Sequence, residues 1–243
     1  MAFSEENSSI RVLLLDIEGT TTPIAFVYKT LFPFASRRVE GFLRAHFADT
    51  EVQALIADLR REHGPEGWNV RTPEEEIASA SNYVRRLMEQ DKKLTLLKTL
   101  QGEIWEEGFR SCELRGEVYE DVPRAFVRWN KEGKRIAIFS SGSVLAQRLL
   151  FAHSTGGDLT KFIEAYFDTT TGPKRETASY LRIAKELKIS TADMLFVSDV
   201  SAELDAAREA GMKTALSLRP GVPRPERTEH PSITSFDELF PGR

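Results

Sequence analysis

The 243-residue chain holds one cysteine, Cys112, so no disulfide can form within it, and that scarcity fits a reducing compartment. No apolar run is long enough to cross a bilayer. The opening residues, MAFSEENSS, carry neither the basic stretch nor the apolar core of a secretory leader. A cytoplasmic protein with no membrane partner is the expectation. Positive charge is not in excess either: 33 Lys and Arg stand against 37 Asp and Glu, for a net charge of −4. That balance argues against a nucleic-acid-binding face. Internal repeats and low-complexity segments are missing. What remains, 41% hydrophobic and 29% charged, is the composition of an ordinary globular protein. The length allows one sizeable α/β domain with an insertion, or two small domains.

The stretch 11–22, RVLLLDIEGTTT, organises the rest. Val12 to Leu15 is an unbroken apolar run, the pattern of a strand buried on both faces of a parallel sheet. It stops at Asp16, with Glu18 two residues on and Gly19 free to turn. Ligands of open α/β sheets sit beyond the carboxyl ends of the strands, which is where Asp16 falls. Two carboxylates this close repel unless a cation or a shared proton relieves them. Taken alone, the stretch is equally a capped strand end with an Asx turn.

From about 29 to 112 the sequence has helical periodicity and almost no strand signal. Asp49 or Thr50 caps a helix with Val52, Leu55, Ile56 and Leu59 on one face. After the loop HGPEGWN, Thr72-Pro73-Glu74-Glu75 reads as a capping box with proline at the first helical position. Ile77, Val84, Leu87 and Met88 continue that face, and a further helix from about Lys92 carries Leu97, Leu100, Ile104, Trp105 and Phe109. A helical block between two sheet strands suggests an inserted lid.

Alternation of strands and helices resumes near Gly116. Asp121 is read as the cap of a helix ending at Gly133. RIAIF (135–139) is a second buried strand, ending at Ser140-Ser141-Gly142-Ser143, where a helix begins whose free amides offer a phosphate cradle. Gly156-Gly157-Asp158 is read as another helix start, and 165–167 as the lead into the loop DTTTGPKRET, which carries Lys174. Residues 194–197 form a third apolar strand, stopping at Ser198-Asp199, with Glu203 one helical turn later. Residues 213–218 form a last strand, 219–231 a Pro-rich surface loop and 235–240 a short terminal helix.

Three strands therefore end in Asp16, Ser140 and Asp199, and all three ends belong to one sheet edge. Asp16 and Asp199 offer hard oxygen ligands suited to Mg²⁺. Ser140 and the amides after it can hold phosphate oxygens, and the charge of Lys174 is expected to serve the site and not the core. A metal ion resolves the repulsion among Asp16, Glu18 and Asp199. The bland alternatives are a serine N-cap and a solvated loop lysine.

In this order, DIEGT, IFSSGS, GPKRE and FVSDVSAE resemble the four-motif signature of the haloacid dehalogenase superfamily. DIEGTTTPIAFV, LQGEIWEEGF, SSGSVLAQRLLFAHST, YFDTTTGPKRE and SDVSAELDAAREAGM are similar to the enolase-phosphatases (acireductone synthases) of methionine salvage, from Val12 through the last strand. Glu18 carries weight here, because most superfamily phosphatases place Asp at that position. Ser198 replaces the Gly usual before this Asp, and Glu203 stands where many relatives have Asp; both touch on metal geometry.

The resemblance implies a Rossmann-like parallel sheet core (1–22 and 116–243) and an inserted all-helical cap (23–115). It implies a monomer with one Mg²⁺ per chain, acting on 2,3-diketo-5-methylthiopentyl-1-phosphate by enolisation and then phosphate removal. Asp16 would be the nucleophile that forms an aspartyl-phosphate. Glu18 would be the acid and base, its carbonyl also reaching the metal. Asp16, Glu18 and Asp199 would hold the metal, supported from behind by Glu203, and Ser140, Ser141 and Lys174 would bind phosphate. The base of the enolisation step stays open. Rival readings are a phosphatase of the same superfamily for another small ester, and a binding protein that keeps the fold.

Overall fold

The computed structural model describes residues 9–64, 68, 70–90, 92, 94–222 and 228–240. The chain divides into two compact units, one of residues 1–27 and 115–243, the other Tyr28–Leu114.

The first unit is built on a six-stranded, wholly parallel sheet in the order β3-β2-β1-β4-β5-β6. Its strands are β1 (Val12–Leu15), β2 (Arg135–Phe139), β3 (Ile163–Phe167), β4 (Met194–Ser198), β5 (Lys213–Ser217) and β6 (Ser232–Ile233). All four residues of β1 are fully buried, as a central strand covered on both faces requires. Burial of each such side chain contributes about 2 kcal/mol. One face packs Val12, Leu14, Phe139 and Phe196 with Tyr180, Ile183 and Leu204. These last come from α8 (Thr177–Glu186) and α9 (Ser201–Glu209). Phe126 and Trp129 of α6 (Asp121–Lys131) and Phe151 of α7 (Val144–Ala152) are likewise buried, and Trp129 lies 5.2 Å from Phe236.

The second unit is all helical: α2 (Phe32–Ala45), α3 (Thr50–His63), α4 (Pro73–Glu89) and α5 (Thr95–Arg110). A short α1 (Ile24–Phe26) and a π-helical turn (Val27–Leu31) lead into it. Val52, Ile56 and Leu59 are buried as the periodicity predicts, and Leu55 is half-buried. Trp105 is buried and donates its indole N–H to the Leu31 carbonyl at 2.9 Å. α5 begins three residues later than expected from Lys92, and part of the loop 63–69 lies outside the described residues.

The Thr72–Glu75 capping box forms in full, each side chain accepting from the other's backbone N–H. Thr72→Ala is expected to cost about 1 kcal/mol in chemical denaturation while leaving turnover unchanged. A second device in this unit depends on pH. Both ring nitrogens of His46 face carboxylates, Asp49 at 2.8 Å and Glu107 at 2.6 Å. Only the doubly protonated ring donates to both. These hydrogen bonds outweigh partial burial and raise the His46 pKa above its ordinary 6.5. A raised folded-state pKa means that the stabilisation is complete below the unfolded value and is lost as pH climbs through the folded one. The stability gap between wild type and His46→Ala should therefore shrink as pH rises above the ordinary 6.5.

Four local expectations change. Residues 163–167 are a full edge strand, β3, and not a lead into the loop. Asp158 does not start an α-helix: its carboxylate takes the Thr160 N–H and hydroxyl, and a single 3-10 turn follows. Asp121 is not the cap of α6 but its first residue, and its buried carboxylate binds Arg219 and the Phe236 N–H. Arg219, placed by the sequence in a surface loop, is 4% exposed.

Candidate active site

β1 lies between β2 and β4, so the chain leaves it towards both sides of the sheet. This is the switch point where open α/β sheets form their crevice. The ladder runs one residue past β1 and β2: the Asp16 N–H donates to Val197 O at 3.0 Å and the Ser140 N–H to Phe167 O at 3.1 Å. Those bonds set Asp16 and Ser140 at the same edge. Lys174 arrives there from the loop before α8, its carbonyl held by the Tyr180 hydroxyl at 2.6 Å.

The Lys174 ammonium stands 2.7 Å from Asp16 Oδ2 and 2.7 Å from Glu203 Oε2, with little exposure on any of the three side chains. Burial alone would pull the Lys174 pKa down. Asp16 and Glu203 outweigh it, and the pKa is raised, so the group stays charged. Glu203 moves the other way for an acid in an ion pair. Burial and the Asp16 charge push its pKa up against the pull of Lys174. Both directions follow from one cation shared by two carboxylates. Ser198 shows the same shortage of protons: its hydroxyl lies 3.0 Å from Asp16 Oδ2 and 3.1 Å from Glu203 Oε2 but has one proton to give.

Asp199 is the third carboxylate of this edge. Burial first, then Asp16, push its pKa up to about 7. Its carboxylate packs on the turn after β1 so closely that a Cβ at Gly19 would stand 2.3 Å from Oδ2. Gly19, at φ +66°, satisfies both demands of that turn, the left-handed backbone and the open space. The turn itself is tight. The Ile17 carbonyl accepts the N–H groups of Thr20, Thr21 and Thr22, Gly19 N–H donates to Thr22 O, and Ile17 N–H reaches Asp16 Oδ1 at 2.7 Å. Half-buried Glu18 rides on it.

Asp16, Lys174 and Glu203 are thus in direct contact, Asp199 abuts the Asp16–Gly19 turn, and Ser140 stands on the same edge. Among the described residues no three His, Cys, Asp or Glu side chains form a ready-made metal cluster. The cradle of free helix amides needs correction. The Gly142 N–H is taken by Ser140 Oγ, that of Val144 by Asp168 Oδ2 and that of Ala146 by Ser143 Oγ. Ser140, which accepts there, keeps its own proton to donate. Buried Gln147 donates from Nε2 to Gly142 O and Phe167 O, both at 2.9 Å, and so ties this loop to the end of β3. In the sequence Gln147 is marked only by standing one turn into α7, a place from which a side chain can reach the site or simply pack. Ser198 is marked only as standing where the Gly usual before this Asp would be, and Asp168 carries no signal beyond standing directly after a strand end.

A parallel sheet with a buried aspartate ending its central strand, a loop lysine on that aspartate and a second acidic strand end defines a class before any particular protein. The chain is a haloacid dehalogenase-like hydrolase, and the model of that family matches residues 10–211. Within the class it belongs to the enolase-phosphatase E1 family. It is 52% identical to the enolase-phosphatase E1 of Synechococcus elongatus over 95% of this chain and 98% of that one. Among solved structures it resembles the UTR4 protein of Saccharomyces cerevisiae, with a TM-score of 0.78 and 34% identity over 95% of this chain and 100% of that one. A haloacid-dehalogenase hydrolase from Bacillus subtilis, YfnB, solved with magnesium, shares the fold alone, with a TM-score of 0.57 and 16% identity over 95% and 97% of the two chains. No helix among the described residues is long and apolar enough to cross a membrane.

Proposed function

We propose that this enolase-phosphatase converts 2,3-diketo-5-methylthiopentyl-1-phosphate to its acireductone and inorganic phosphate, with Asp16 as the nucleophile. The observation that carries the reading is the Asp16 carboxylate, buried at the end of the central strand and held 2.7 Å from a buried ammonium. One carboxylate oxygen attacks phosphorus, and the bond to the substrate oxygen breaks. Glu18 gives that oxygen its proton. Glu18 then takes a proton from the water that attacks the aspartyl-phosphate, which releases phosphate and restores Asp16. Lys174 and the hydroxyls of Ser140 and Ser141 hold the phosphate oxygens. The helical unit Tyr28–Leu114 is proposed as the cap.

The donor set suits one Mg²⁺. Asp16, Asp199 and Glu203 place three carboxylates at one edge with one ammonium, and burial, with Asp16 second, raises the Asp199 pKa to about 7. Mg²⁺ takes one or two carboxylates with waters and a phosphate, so Asp16, Asp199 and the Glu18 carbonyl suffice without a cage. Bound there, the ion would supply electrostatic neutralisation of the transferring phosphoryl group.

The test is to follow the diketone's ultraviolet absorbance and phosphate release together in the presence of Mg²⁺. The expected result is an enol that accumulates before phosphate appears. Phosphate release with no preceding change in absorbance would reduce the chain to a simple phosphatase.

A further inference from the structure

The turn that carries Glu18 is braced from outside itself, residue by residue. The N–H groups of Thr20, Thr21 and Thr22 converge inward on Ile17 O, but three successive carbonyls point away and each meets a donor from a distant segment. Gly19 O accepts from the Ser217 hydroxyl at 2.9 Å, Thr20 O from Arg219 Nε at 3.1 Å, and Thr21 O from the Tyr119 N–H at 3.0 Å. Because a peptide is planar, fixing these carbonyls fixes the three successive peptide planes from Gly19 to Thr22, the stretch of the turn that follows Glu18 directly.

Arg219 is the centre of this brace. It is buried, and its guanidinium lies between the rings of Tyr119 and Phe236, 4.6 Å from each. Nη1 donates to Asp121 Oδ2 at 2.7 Å and to Thr234 O at 3.1 Å. The same Asp121 oxygen accepts the Ser235 hydroxyl and the Phe236 N–H. One side chain thus joins the start of α6, the segment 234–236 and the catalytic turn. A planar fork can bond in three directions at once, whereas an ammonium on a flexible stem keeps the charge but not the geometry.

We infer that Arg219, assisted by Ser217, is a positioning residue for Glu18: it holds the turn so that the Glu18 carboxyl meets the leaving oxygen. This inference rests on the acid role proposed for Glu18. Arg219→Lys retains the charge facing Asp121 and loses the fixed bond to Thr20 O. A displacement of about 1 Å at a catalytic group costs up to about 10²-fold in rate. Turnover of an alkyl phosphate, whose leaving group needs a proton, should therefore fall by about tenfold or more with KM little changed. An aryl phosphate, whose leaving group is already stable, should form aspartyl-phosphate at close to the wild-type rate.

The experiment measures the aryl-ester burst and alkyl-ester turnover in wild type, Glu18→Gln, Arg219→Lys and Ser217→Ala, beside thermal melts. Support is a selective alkyl-ester loss in Glu18→Gln, repeated more weakly in Arg219→Lys and weaker still in Ser217→Ala. If Glu18→Gln shows the selectivity while Arg219→Lys and Ser217→Ala slow both esters equally or neither, the positioning role is overturned and the acid role stands. If Glu18→Gln itself slows both esters equally, the acid reading fails, and this inference with it. Should Arg219→Lys not fold, the ester selectivity of Ser217→Ala, which removes a single hydroxyl, decides alone.

Discussion

Asp16→Asn is expected to lower phosphate release by about 10⁴-fold or more, since an amide oxygen does not displace an alkoxide from phosphorus. The fold should survive the change. Asn keeps the size of the side chain and an oxygen for the Ile17 N–H, which bonds Asp16 Oδ1 at 2.7 Å. Lys174 keeps its second partner, Glu203. The amide nitrogen then replaces Oδ2, 2.7 Å from the Lys174 ammonium, which offsets the relief among the crowded carboxylates, so the melting temperature should fall modestly. The measurements are phosphate release over long incubation, a melt, and intact mass before and after the assay to detect deamidation back to Asp. Turnover near wild type from protein that is still Asn by mass would remove Asp16 as the nucleophile.

The elements nearest this aspartate were legible in the sequence, and the reason is physical. β1, β2 and β4 are apolar runs because strands covered on both faces admit little else, whereas β5, KTALS, is buried from Thr214 to Ser217 yet only partly apolar. β3 was missed because it is an edge strand. Its sequence IEAYF alternates, and exposed Glu164 pairs with Arg135 of the neighbouring strand. The two-residue β6 has no pattern of its own and exists through its pairing with β5. α2 was not separated from the helical block, because its start is a continuous turn from α1 through a π-helical stretch, with no capping side chain. Asp121 and Arg219 were misread for a shared reason. Local rules treat an Asp before a helix as a cap and an Arg in a Pro-rich loop as surface, whereas each here is buried against a partner 98 positions away. Likewise, motif order put Asp16, Lys174 and Asp199 on one edge. The resemblance set Glu203 behind the metal ligands, but nothing in the sequence showed that it shares the Lys174 ammonium with Asp16, or that Asp168 occupies the first amide of α7.

Lys174→Met follows from that cluster, and here the structure changes what the sequence led one to expect. A lysine that served only the site could be removed at the expense of phosphate binding alone. The observed Lys174 is the cation between two buried carboxylates, and deleting one member of a buried ion pair typically costs about 3 to 5 kcal/mol. A methionine of similar length leaves Asp16 and Glu203 facing each other with the single Ser198 proton between them. The variant should therefore melt well below wild type and unfold about 3 kcal/mol more easily in denaturant. Its phosphate release should fall by about 10²- to 10³-fold, as when one preorganised donor is lost from a transition-state site. The double variant Lys174→Met/Glu203→Gln separates the two effects. Removing the second charge relieves the repulsion, so stability should recover in part, while activity should stay low because the phosphate still lacks its ammonium. If the double variant is no more stable than Lys174→Met alone, Glu203 is not the charge that Lys174 offsets. If Lys174→Met is as stable as wild type, the ammonium serves the site alone, as the sequence suggested.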